Sequence, residues 1–218
     1  MAESPGRLED IFVNENGPLN IQGFYAVNLY TLGVPHTVQV DDYLPLTWDS
    51  QDGSYKTVFA NLGDDGAMWG AILEKAWAKF YGNYEHIIGG QVYKAITTMN
   101  GSPYIHHSNA DLSADDLWDA IKKYDSAGHM IGAGTPAGSD KTRSSSGLVM
   151  GHAYSVLGAY TLSNGVKLVK IRNPHGHDSY KGRYSDGDSN WTPELMAEVG
   201  ATKDRFDGVI WMEHTDYQ

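Results

Sequence analysis

Met150-Gly151-His152-Ala153-Tyr154-Ser155-Val156 is followed, across Asn164-Gly165, by Lys170-Ile171-Arg172-Asn173-Pro174. His152 to Leu162 and Val166 to Arg172 read as two strands, because Asn-Gly is the favoured centre of a two-residue hairpin turn. An antiparallel return brings the first residue of one arm level with the last of the other. His152 and Asn173 therefore meet at the open end of the hairpin, where an amide oxygen can accept a ring N–H. An imidazole held in one tautomer is what a thiol nucleophile needs beside it in order to lose its proton. The chain contains no cysteine. On the residues alone, a satisfied surface histidine beside a turn asparagine is the commoner account of such a pair.

The bulk composition narrows the field. With 218 residues, 41% of them hydrophobic, the chain can bury a core as one domain or two small lobes. A net charge of −11 opposes capture of nucleic acid or of an anionic membrane. No apolar run reaches the roughly 18–20 residues of a membrane span, and no apolar signal core follows Met1. The lack of cysteine excludes disulfides and fits an intracellular, cytoplasmic chain. Asn100-Gly101-Ser102 and Asn190-Trp191-Thr192 read as turns rather than glycosylation sites.

Outward from the hairpin, periodicity marks further elements. Phe24 to Tyr30 and Thr37 to Asp41 form a strand pair turning at Gly33-Val34-Pro35. Trp69, Ile72, Leu73, Ala76, Trp77 and Phe80 share one helical face, with Asp64 or Asp65 placed to cap and Gly82 near the end. Gly89-Gly90 and Asn100-Gly101-Ser102-Pro103 bracket a breaker-rich zone, which sets a lobe boundary between residues 101 and 102. Ser113 caps a second helix with Leu117, Ile121 and Tyr124 inward and Gly128 as its stop. Met130 to Thr135 reads as a buried strand and Ser139 to Gly147 as a polar loop. Thr192-Pro193-Glu194 opens a short helix ending near Gly200, and Phe206 to Met212 is a last strand.

Several spaced motifs resemble one family. Gly151 to Val156 with Lys170 to Pro174 is similar to the motif pair of the calpain family of papain-like cysteine peptidases. Val38-Gln39-Val40-Asp41-Asp42-Tyr43-Leu44-Pro45, Met68 to Lys79, Gly182 to Asp186, Trp191 and Ile210-Trp211-Met212 follow in that family's order. The resemblance implies an α+β, papain-like fold, with a partial first protease-core subdomain at 1–101 and a β-rich second subdomain at 102–218. It implies His152 as general base, Asn173 as its orienter, and Gly151 as a backbone contact for substrate near the scissile bond. His175 joins the substrate-binding surface at a position where the family carries a tryptophan that shields the His–Asn bond; histidine is a more polar cover. The family's cysteine stands upstream of the strand that Gly23 begins, in a Gly-Asp-Cys-Trp context after an oxyanion-hole glutamine. Neither motif occurs here.

The family also binds calcium in its protease core through acidic side chains. Three of those positions are Ala67, Ser179 and Val209 here, leaving Asp186 and Asp207, so no metal site and no cofactor is expected for this chain. Asp186-Gly187-Asp188-Ser189-Asn190 imitates the start of an EF-hand loop, but Trp191 and Ala197 stand where glycine and glutamate are required; it reads as a solvated turn. Gly132 to Thr142 misses phosphate-loop spacing, and His106-His107 and His175-x-His177 lack zinc-site partners. No G-x-S-x-G elbow offers a serine nucleophile. Two readings result. One is a truncated calpain-type endopeptidase core that acts on protein or peptide substrates once an upstream cysteine-bearing segment is supplied, and is inert alone. The other is a non-catalytic calpain-like binding or regulatory module.

Overall fold

The computed structural model describes residues 6–13, 22–63, 65–139 and 141–218. The chain forms two compact units, Met1–Tyr104 and Ile105–Gln218. In the first, a short helix α1 (Gly6–Glu9) precedes the antiparallel pair β1 (Phe24–Thr31) and β2 (Val34–Asp41). The turn is Leu32-Gly33, with φ of 50° and 80°, the handedness a two-residue hairpin demands. The expected turn residues Val34 and Pro35 instead begin β2. A second hairpin, β3 (Leu46–Asp49) with β4 (Ser54–Thr57), follows.

Helix α2 (Trp69–Tyr81) lays Ile72, Leu73 and Ala76 against Ile11, Val27, Leu29, Val38 and Val40. Its N-cap is Met68, with no side-chain cap. Asp65, expected to cap it, instead accepts from the Ala67 N–H at 2.9 Å in the turn before; Asp64 lies outside the described residues. The breaker-rich zone contains a helix, α3 (Val92–Asn100), closed by Gly101 in the left-handed region.

The second unit is built on one antiparallel sheet in the order β5 (Ile131–Gly134), β6 (Ala153–Thr161), β7 (Lys167–Arg172), β8 (Val209–Glu213). β7 is covered on both faces, which explains its adjacent apolar pair Leu168-Val169. Val169 and Ile171 pack with Leu117, Trp118 and Ile121 of α4 (Ala114–Ser126), while Leu168 packs with Tyr184, Trp191 and Trp211. Truncating Leu168 to alanine would cost about 2–5 kcal/mol. The α4 stripe differs from expectation in one residue: Trp118 is buried, and Tyr124 is only half-buried. Ser113 caps α4 by accepting from the Asp116 N–H at 3.1 Å. Thr192 caps α5 (Pro193–Val199), and α6 (His214–Tyr217) ends the chain.

One irregularity sets the site. The β6–β7 register shifts between Val156 and Gly158, a bulge that places one extra residue in β6. Tyr154 and Val156 face α4 before it, whereas Ala159 does so after it and Tyr160 turns to the Trp211 face. The parity of the first half of β6 thereby matches that of Ile171, which pairs directly with Val156. His152 and Asn173 continue these two rows on the same side of the sheet. No described helix is long and apolar enough to cross a membrane.

Candidate active site

The His152 Nε2 atom lies 2.9 Å from Asn173 Oδ1. Asn173 is only 4% exposed, and all of its polar atoms are engaged. Oδ1 also accepts from the His175 N–H at 3.0 Å, and Nδ2 donates to the His177 carbonyl at 2.9 Å. Its main-chain N–H donates to the Gly208 carbonyl at 2.8 Å, and its own carbonyl accepts from Gly176 at 3.0 Å. These partners fix the amide. Reversed, it would set an NH2 against the His175 N–H and an oxygen against the His177 carbonyl. With Oδ1 toward the ring, Nε2 must carry the proton, and the lone pair of the neutral imidazole rests on Nδ1. No described residue hydrogen-bonds Nδ1.

Two glycines make this corner possible. Gly208 has a φ of 71°, and a Cβ there would stand 2.6 Å from the Asn173 carbonyl oxygen. The strand expected from Phe206 accordingly begins only at Val209. Gly151 has a φ of 58°, and its Cβ would stand 2.5 Å from the Gly138 carbonyl oxygen. Gly151 donates its N–H to the Pro136 carbonyl at 2.8 Å.

The ring of His152 meets Tyr154 edge-on, with centroids 5.0 Å apart, and His175 tilted at 4.6 Å. Tyr154 is buried, its hydroxyl accepts from the Val149 N–H at 2.9 Å, and burial raises its pKa, so it packs as a neutral phenol. His175 is exposed. Thr135, the last residue of the strand that the sequence predicts from Met130, bonds the main chain of His152 on both sides. Nothing local in the sequence signals that long-range contact.

The acidic turn departs from expectation. Asp188 does organise it, accepting from the Asn190 N–H at 3.1 Å and from Asn190 Nδ2. Asp186, however, is not solvated: it is 6% exposed, and its Oδ2 has no partner. Burial first, and then the carboxylates of Asp178 and Asp207, push its pKa up to about 6, against the opposing pull of Arg205. Asp207 is occupied by the Val209 N–H at 2.7 Å and the Thr202 hydroxyl at 3.1 Å. Among the described residues, no three His, Cys, Asp or Glu side chains come together as a metal cage. Asp186 and Asp207 supply two carboxylates where a hard cation seeks six or more oxygen ligands, and Asp207 is already bonded to the Val209 N–H and the Thr202 hydroxyl.

The sequence comparisons identify the class of protein to which this α+β chain belongs, a calpain-type cysteine protease core. The whole chain, 1–218, matches the profile described as calpain family cysteine protease. It is 35% identical over 222 residues to calpain-type cysteine protease ADL1 of Oryza sativa subsp. japonica, covering 97% of this chain and 10% of that relative. It is 34% identical to calpain-type cysteine protease DEK1 of Zea mays, with the same coverage. To the human calpain-2 catalytic subunit it is 31% identical over 214 residues, 94% of this chain and 29% of the relative. The chain belongs to the calpain family, with its papain-like α+β protease-core fold. It lacks the family's nucleophilic cysteine. It spans about a tenth of the length of the plant relatives.

Proposed function

We propose that this chain carries the base-and-orienter half of a calpain-type endopeptidase centre, hydrolysing peptide bonds when a thiol from outside these 218 residues is supplied and inert alone. The observation that carries the reading is the fixed amide of Asn173, which presents His152 with its Nδ1 lone pair open. In that role Nδ1 takes the thiol proton, and the thiolate adds to the scissile carbonyl carbon. The imidazolium then returns the proton to the leaving amine as the C–N bond breaks. The acyl group left on sulfur is released by water, which Nδ1 deprotonates in turn. Asn173 accepts the Nε2–H throughout and holds the ring in place. In this reading the Gly151 carbonyl accepts a substrate N–H and His175 belongs to the substrate-binding surface. The domain reading, a partial first subdomain and a β-rich second one divided near residue 101, belongs to this proposal.

Calcium has a minor place in it. The non-acidic residues Ala67, Ser179 and Val209 at three of the family's ligand positions argue for at most weak binding by this chain. A second reading, a non-catalytic calpain-like module, draws on the absent cysteine and on His175 in place of a shielding indole.

The test is a protein extended upstream to include the cysteine-bearing segment that the family resemblance implies. Peptidase activity that falls by roughly a thousandfold in His152→Ala supports the proposal. Natural upstream sequence without a cysteine, or an inert extended protein with a well-formed site, supports the binding module. Turnover by the present chain that resists thiol-blocking reagents would contradict both.

A further inference from the structure

We infer that Thr135 is a positioning residue for His152, acting on the backbone rather than on the ring; this deepens the reading of His152 as the base and rests on it. The Thr135 N–H donates to the His152 carbonyl at 3.0 Å, which extends the β5–β6 pairing one step past Gly134. Its hydroxyl accepts from the His152 N–H at 3.0 Å and lies 2.8 Å from the Val149 carbonyl and 3.2 Å from that of His152. A hydroxyl has one proton to give. The His152 carbonyl already receives the Thr135 N–H, so the hydroxyl proton goes to Val149.

One side chain therefore closes a loop of hydrogen bonds around the residue that carries the imidazole. The need is geometric. His152 sits just before β6, after Gly151 at a φ of 58°, where the β6–β7 pairing has ended and the β5 side alone holds the chain. Asn173 fixes where the far ring nitrogen points; it does not fix where the Cα of His152 stands. Without the hydroxyl, the His152 N–H would have no acceptor, and the ring could swing about the Nε2 contact. Valine has the shape of threonine without its donor or acceptor, so Thr135→Val isolates the effect. Thr135→Ser keeps the hydroxyl.

The experiment is NMR on the chain as it stands, following two protons: the His152 ring Nε2–H and the His152 amide. In the unaltered chain, a slowly exchanging Nε2–H is expected. In Thr135→Val, that signal should broaden or vanish, and amide protection at His152 should fall about tenfold, with chemical-shift dispersion elsewhere unchanged. Thr135→Ser should restore both signals. In the extended protein, kcat should fall in Thr135→Val with KM unchanged. Intact His152 signals in Thr135→Val, or loss of them in Thr135→Ser, would overturn the inference. Absence of the Nε2–H signal from the unaltered chain would instead strike the His152–Asn173 reading beneath it. Should Thr135→Val fail to fold, amide exchange in the unaltered chain decides. Protection of His152 comparable with the β6 amides supports the clamp, and exchange at the rate of an exposed loop rejects it.

Discussion

Asn173 and Asp186 are both nearly buried polar side chains of the second unit, 4% and 6% exposed, and they stand in opposite conditions. Asn173 is neutral and has a partner for every polar atom. Asp186 is ionisable, has an unpartnered Oδ2 and sits among like charges. A satisfied buried amide fixes geometry: its bonds leave His152 one tautomer. An unsatisfied buried carboxyl stores a penalty that grows when it ionises. The first is built to position another group, and the second makes the fold sensitive to pH.

The comparison can be broken most sharply at Asn173. Replacement by alanine strands the His175 N–H, the His177 carbonyl and the His152 ring, and should cost roughly 2–4 kcal/mol in denaturant unfolding. A loss below about 1 kcal/mol would show that water satisfies the corner. Gly208→Ala attacks the same corner through the backbone. A Cβ 2.6 Å from the Asn173 oxygen at a φ of 71° should cost about 2 kcal/mol, and a neutral result would mean that the strand entry gives way freely.

Asp186→Asn tests the other side and should stabilise. The carboxyl has an ordinary value of 3.8 and is raised to about 6 in the fold. Below the ordinary value both states are protonated and no penalty exists. As pH rises through that window, the unfolded chain ionises first and folded stability falls, levelling above about 6. The variant should therefore gain on the unaltered chain between pH 4 and 6, by up to roughly 3 kcal/mol at pH 7 relative to the difference below pH 4. Parallel stability profiles would remove the penalty from Asp186. The smallest effect concerns calcium: about 1 mM should move the melting temperature by less than about a degree. A rise of several degrees would show that backbone carbonyls complete a cage around Asp186.

The His–Asn corner was legible because its determinants are local. Asn164-Gly165 sets the hairpin, and strand alternation carries His152 and Asn173 to its open end. Helix α2 was legible from its apolar spacing. What the sequence hid depends on distance or on exposure. β3 and β4 bury little, with Leu46, Trp48 and Tyr55 all more than half exposed, so no alternation marks them. α3 lies between glycine-rich breakers that outweighed its nine residues. The bulge at Val156/Gly158, the Thr135 clamp and the burial of Asp186 arise only when remote segments pack. A turn rich in aspartate reads as solvated until Tyr184 and Trp191 beside it prove to be core.

The central claim is that Asn173 holds His152 with its proton on Nε2 and its lone pair on Nδ1. Imidazole nitrogen shifts of labelled His152, followed by two-dimensional NMR above the pH at which the ring is neutral, test it directly. The account predicts a single Nε2–H tautomer in the unaltered chain that gives way to a mixture in Asn173→Ala. A proton on Nδ1, or a mixture already present in the unaltered chain, would contradict it.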